Sequence, residues 1–346
     1  MKEITFVVPC YNSQDYMHRC IDSLLPAGDA CEIIIVNDGS SDGTAAIADE
    51  YKTKYPDIVE VIHKENGGHG SGVNAGLEKA SGYYFKVVDS DDWLDKDALP
   101  LLMKDVHRMC EDIEAGFEDL SADLIVCNYI YDHLDIGEKK YMRYRNVFRD
   151  KKMCTWNTIR HFRPSQYLVM HSLFFRTSVL RKSKVRLPEH TFYVDNLFSN
   201  KPLPYVKRIW YRDLDMYHYY LGRDDQSVNE SVLMKRIDQQ IKVTKMVATC
   251  TNLRKVQRVY PGLAKYLKRN TSIMMSISCI HLLLIGDEEA LEKRDKLWNY
   301  IKEYDIFLYR WLRYRTLCGF TYLPGKLGDK LTIAGYRLAG KIYKFN

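Results

Sequence analysis

Hydrophobic positions in the first hundred residues alternate between two spacings. Continuous apolar runs at 4–9, 32–36, 58–62 and 83–88 are separated by stretches in which apolar residues recur at helical intervals. Met17, Cys20, Ile21 and Leu24 form one such stripe, with Ser13 as the expected N-cap. Ala45, Ala46, Ile47 and Ala48 form a second after Asp42, and residues 71–80 a third. Runs rich in β-branched residues, alternating with amphipathic helices, predict an α/β fold built on a mostly parallel sheet with helices on both faces. Leu99, Leu102, Met103, Val106 and Cys110 continue with a helix, and 124–129 with a strand. Residues 130–228 are irregular and rich in aromatics; after Leu233 the pattern is helical almost to the end. Three parts are expected: 1–98, 99–228 and a helical region, 229–346.

Composition narrows the setting. The nine cysteines are scattered singly with no C-x-x-C pair, the usage expected of reduced thiols in the cytoplasm. The start, MKEITFVVP, enters a strand directly and predicts no exported leader. The most apolar segment, 273–285, contains His281 and several serines and falls short of the roughly 18 apolar residues a spanning helix needs, so it reads as a buried helix. The formal charge is +6, while residues 310–346 alone carry eight basic side chains against Asp329. Excess charge confined to one tail argues against nucleic acid and for peripheral contact with an anionic membrane, with a solvated basic helix as the plainer alternative.

The candidate chemistry sits where strands end. The first run leads into Pro9, Tyr11 and Asn12, the second into Asn37-Asp38-Gly39-Ser40-Ser41-Asp42-Gly43-Thr44, and the fourth into Asp89-Ser90-Asp91-Asp92. In open α/β sheets ligands bind beyond the carboxyl ends of the strands, so these segments are expected around one crevice. Like charges crowded at a strand end raise one another's pKa unless a cation or hydrogen-bonding ligand sits among them. A stacking aromatic (Tyr11), an acceptor for a ring N–H (Asp38) and carboxylates suited to Mg²⁺ or Mn²⁺ (Asp89, Asp91) together fit a nucleoside diphosphate. After the third run, Asn66-Gly67-Gly68-His69-Gly70 leads through Asn74 into a helix whose glycines permit close approach of a ligand. No dinucleotide fingerprint follows the first strand and there is no Walker-type loop.

These segments, in this order, resemble the family 2 glycosyltransferases of the GT-A fold. The resemblance is specific over residues 1 to about 95 and weaker to about 230. It implies an inverting, metal-dependent transfer of a sugar from a nucleotide donor, usually a UDP-sugar. On the matching positions it implies that Pro9, Tyr11, Asn12, Asp38, Asn66, Gly67, Gly70, Asn74, Asp89 and Ser90 bind the nucleotide and that Asp89 and Asp91 hold the metal. It also implies that 1–98 is the donor-binding half and 99–228 the acceptor-binding half. Val73 departs from the arginine many relatives carry before the asparagine. The family's acidic pair at a helix start is met by Val194-Asp195, with valine for glutamate; Asp195 is the expected base, and Glu189, Asp213 and Asp215 are its rivals. A tyrosine-rich run at 217–220 leads to Arg223, Gln226 and Ser227, the expected diphosphate grip. His218 in that run reads as a packed strand residue.

The acceptor expected from the resemblance is a glycan or lipid-linked hydroxyl of the cell envelope. Two rivals stand: a family member without catalysis that serves as a scaffold, which Val194 keeps open, and a sugar-1-phosphate nucleotidyltransferase, which would need a basic glycine-rich loop after the first strand.

Overall fold

In the computed structural model the first apolar run forms β1 (Ile4–Cys10), buried at every position. It lies between β2 (Cys31–Asp38) and β4 (Tyr84–Val87), with β3 (Val59–Lys64) beyond β2, and all these pairings are parallel. The links are the helices α1 (Met17–Leu24), α2 (Thr44–Lys54) and α3 (His69–Lys79). With right-handed crossovers, reversal of strand order at β1 puts α1 and α2 on one face and α3 on the other. The structure describes residues 2–134, 136–164, 166–222 and 229–343, of which 341–343 by backbone alone.

The stripe Met17, Cys20, Ile21 and Leu24 is buried as its spacing predicts. Ser13 does not cap that helix. Its hydroxyl accepts from the Tyr11 N–H at 3.1 Å and meets Ser90 Oγ at 2.8 Å, tying the first and fourth strand ends together.

Past β4 the chain adds β5 (Trp93–Leu94), α4 (Ala98–Glu114), β6 (Leu124–His133), β7 (Glu138–Met142), β8 (Met153–Cys154) and β9 (Leu173–Arg176). Then come α5 (Thr177–Ser183), α6 (Asp195–Asn200) and β10 (Ile209–Leu221). One sheet runs β3-β2-β1-β4-β9-β6-β10-β5. The antiparallel β9 joins two parallel blocks, because it pairs with β4 on one side and with β6 on the other, while β6 and β10 run parallel. Along β10 the register shifts between Arg212 and Asp215 and again before Tyr217. Such bulges re-aim side chains.

The chain divides into two compact units, Met1–Gly222 and Arg223–Asn346. The second is helical: α7 (Glu230–Lys235), α8 (Ile237–Thr249), α9 (Leu253–Val259), α10 (Pro261–Ile285), α11 (Glu288–Tyr304), α12 (Ile306–Arg315) and α13 (Gly325–Tyr343). The apolar 273–285 segment is the second half of α10, whose Met274, Met275, Cys279 and Leu282 are buried. Among the described residues no helix is long and apolar enough to cross a membrane.

Candidate active site

Four parallel strands bring their carboxyl ends to one edge, and the order reversal at β1 opens a crevice there. Tyr11, just past β1, is 57% exposed, so its ring face is open. Asn12 sits at φ 50°, a left-handed conformation asparagine tolerates, and its side chain accepts from the Ser41 N–H at 2.9 Å. Pro9 lies in the buried strand beneath, against α3, where a Cβ at Gly72 would come 3.1 Å from its own Cβ.

Asp38 is almost fully buried and its carboxylate is engaged on all sides. It accepts from Lys64 Nζ at 2.6 Å and from the N–H groups of Gly67 (3.0 Å) and Gly68 (2.7 Å). Asn66 Nδ2 donates to the Asp38 carbonyl. The glycine turn so held reaches onward: Gly67 O accepts from the His190 N–H at 2.7 Å. Asn74 pairs through both ends of its amide with the backbone of Leu187, and a Cβ on Gly70 would meet Leu187 Cβ and Pro188 O at 2.9 Å. Segment 187–190 is thereby fastened to the turn, and it leads directly into α6 and Asp195.

The three aspartates after β4 have three environments. Asp92 is buried and points inward, accepting from Tyr217 Oη at 2.6 Å and the Tyr220 N–H at 2.8 Å; burial, with Asp91 and Asp89 nearby, pushes its pKa well up. Asp91 stays half-buried. Asp89 meets His69 Nε2 at 2.8 Å and lies 3.8 Å from His171 Nδ1. Burial opposes its charge, but His69, His171 and Lys86 hold its carboxyl below the usual carboxylate range. Ser90, between Asp89 and Asp91, is the partner of Ser13.

Asp195 opens α6 and is half-buried. Burial raises its pKa to about 6, His69 opposes that rise, and Asp89 adds to it. Asp195 and Asp89 therefore share one electrostatic neighbour and are pushed in opposite directions. The rival carboxylates differ. Asp213 is tied to Arg145, Asn128 and Tyr211, and although burial works against its charge these partners lower its pKa. Asp215 takes Arg143 Nε at 2.9 Å and Asn128 Nδ2 at 3.1 Å. Glu189 is exposed. Val194 is buried and packs on Gly70, with its Cγ2 3.4 Å from where a Cβ would stand.

Several residues here had no role in the sequence. His171 stands between the rings of Tyr217 and Tyr219, 4.7 Å from each. Lys86, inside an apolar strand, is fully buried; its Nζ donates to the carbonyls of Met170 (2.8 Å) and His171 (2.7 Å), and burial lowers its pKa to about 7. It pins the turn that carries His171. His218 is packed, stacked on Trp93 and bonded to Asp132. Arg223, Gln226 and Ser227 lie outside the described residues.

Ligand atoms of Asp89, Asp92 and His171 lie within 4.8 Å of one another, and His171 Nδ1 is buried with no hydrogen-bond partner. Carboxylate oxygens with a neutral imidazole, whose pKa burial lowers to about 4, fit a divalent cation such as Mn²⁺ or Mg²⁺. Asp91 is not in that group.

A nucleotide-binding type of sheet with its site at the strand ends and a helical region behind it in sequence is the GT-A architecture. It matches TarS 1–349 of S. aureus, solved in complex with UDP-GlcNAc, with a TM-score of 0.69 at 19% identity over 98% of this chain and 92% of that one. Residues 5–175 match the model of Glycosyl transferase family 2, and the chain carries a domain of that family. EpsH of Bacillus subtilis, named as a glycosyltransferase, is 29% identical over 226 residues, 62% of this chain. Glycosyltransferase GlyA of Streptococcus pneumoniae is 37% identical over 115 residues, 33% of this chain. The aligned parts span 60% of EpsH and 16% of GlyA.

Proposed function

We propose that this chain transfers a sugar from a nucleoside diphosphate donor, of the UDP-sugar type, to a hydroxyl of a glycan or lipid-linked acceptor with inversion at the anomeric carbon. The observation that carries the reading is the pair Asp195 and Asp89. Two carboxyls in one cleft, one raised to about 6 and one lowered, are the arrangement in which one handles a proton and the other stays charged. That TarS 1–349 was solved with UDP-GlcNAc and with UDP supports the donor class.

Asp195 takes the proton of the acceptor hydroxyl as its oxygen forms a bond to the anomeric carbon. The bond from that carbon to the donor phosphate oxygen breaks on the opposite face, and its electron pair leaves with the nucleoside diphosphate. Asp89 and His171, with Asp92 in the same cluster and Asp91 as the neighbour the sequence motif names, would hold a divalent cation, which supplies neutralisation of charge on the departing diphosphate. Tyr11 stacks on the base. Asp38 is read as the residue that holds the glycine turn beneath the base, since a ring N–H would reach it only by replacing one of its present donors. Pro9, Asn12, Asn66, Gly67, Gly70, Asn74 and Ser90 shape this donor half, and Arg223, Gln226 and Ser227 are the proposed diphosphate grip. Residues 1–98 then serve the donor and 99–228 the acceptor. None of the nine cysteines is in a disulfide, which favours a reducing compartment.

A panel of UDP-sugars incubated with the protein and Mn²⁺, read as released UDP, tests this. Slow hydrolysis of one sugar, faster with an acceptor, is expected. Pyrophosphate released from UTP plus a sugar phosphate would favour a nucleotidyltransferase, and donor binding without any turnover a scaffold.

A further inference from the structure

The outward side of α13 carries two parallel stripes. Leu327, Leu331, Ala334 and Leu338 are all exposed and fall within about 60° of one another around the helix axis. Leu327 is 72% exposed. Lys326, Lys330 and Arg337, also exposed, form a second line roughly 90° round from the first. The opposite side is anchored within the helical unit. Asp329 accepts from Arg294 of α11 at 2.7 Å, Tyr336 donates to Glu230 of α7 at 3.1 Å, and Thr332 donates to the carbonyls of Phe320 and Gly328. A Cβ on Gly328 would stand 2.6 Å from Leu323 Cβ, so a larger residue there would push the helix off its support.

The one acid between Arg310 and Asn346 is thus turned inward, and the outward face combines leucines with cations alone. The segment before the helix adds Tyr314, Leu317 and Phe320, each more than half exposed. Water is a poor environment for three leucines in a row, and no described residue of this unit covers them. A second copy seated antiparallel on this face would set lysine against lysine. Nucleic acid would satisfy the cations and leave the leucines wet. An anionic bilayer satisfies both, with apolar side chains at the acyl boundary and cations among the headgroups.

We propose that the outward face of α13 is a membrane-docking surface, which lies flat on an anionic bilayer with Leu327, Leu331 and Leu338 inserted and Lys326, Lys330 and Arg337 on lipid phosphates. This goes beyond glycosyl transfer and needs no turnover to test, so its failure would leave the reaction reading untouched. The full chain is sedimented with vesicles of phosphatidylglycerol and phosphatidylcholine and with vesicles of phosphatidylcholine alone. Association with the anionic vesicles only, weakening as salt rises, is expected. The triple variant K326Q/K330Q/R337Q should bind roughly a hundred-fold more weakly, about five-fold for each cation removed from the anionic surface. The variant L331Q/L338Q should lose binding at any salt while keeping the wild-type circular dichroism spectrum and the wild-type net charge. If the leucine variant binds like wild type, the association is a charge effect and the docking face is wrong. Concentration-dependent dimerisation abolished by L331Q/L338Q, with no vesicle binding, would assign the face to a second copy and overturn the proposal.

Discussion

Two groups of carboxylates meet strand β10 and are treated in opposite ways. Asp213 and Asp215, on its bulged stretch, are each closed off by an arginine and by Asn128. Asp92 meets the strand through Tyr217 and the Tyr220 N–H, and Asp89 meets His69, with Asp195 in its field. Guanidinium stays charged at any working pH and occupies its partner with charged hydrogen bonds. Imidazole and phenol hold a carboxylate in place while leaving it able to exchange a proton or a ligand. The identity of the counter-group, more than burial, separates the acids held as structure from those proposed to do chemistry.

The largest expected effect tests the chemical group. Asp91→Asn should abolish transfer and cation-dependent nucleotide binding and leave the melting temperature unchanged or slightly raised, since Asp91 adds to the strain on buried Asp92. Full activity in that variant would remove Asp91 from the site. Asp195→Asn should lower kcat by about 10²- to 10⁴-fold at unchanged nucleotide affinity, as for loss of a general base; a parallel loss of affinity, measured by titration calorimetry, would make Asp195 a binding residue instead.

The pH dependence sharpens the same contrast. Transfer should rise with pH along a limb centred near 6, where Asp195 becomes able to accept a proton. Stability should move the other way. The folded protein holds this proton more tightly than the unfolded chain, so the group's contribution is complete below about pH 4 and is lost as pH rises through about 6. Asp195→Asn removes that loss, so urea unfolding should find the variant the more stable of the two at neutral pH and level with wild type in acid.

Smaller effects belong to the structural group. Asp215→Asn should cost about 1–2 kcal/mol through lost charged hydrogen bonds, read as a lower urea midpoint, with kcat intact. Glu189→Gln, at an exposed position, should change neither quantity measurably. A kcat loss in Asp215→Asn matching that of Asp195→Asn would dissolve the distinction between the two groups.

The sequence made Asp89, Asp91, Asp92 and Tyr11 legible because each follows a strand whose period is plain, and strand ends converge whenever strands run parallel. It left Asp195, Glu189, Asp213 and Asp215 as competitors, since what sorts them is the presence of Arg143 and Arg145 beside two of them and of His69 beside the third. The Ser13 cap failed for a related reason: its hydroxyl found Ser90, 77 residues on, in place of the next turn of its own helix.

What the chain determined locally was therefore the alternation of strands and helices, the crowding of acids after β4 and the excess of cations in the tail, because hydrophobic period and turn chemistry act over a few residues. The approach of His171 to Asp89, the burial of Lys86 beneath that histidine and the inward turn of Asp329 were decided only by tertiary structure. Each joins residues far apart in the chain, and a side chain's pKa, partner and exposure depend on whichever groups the fold carries within a few ångströms of it.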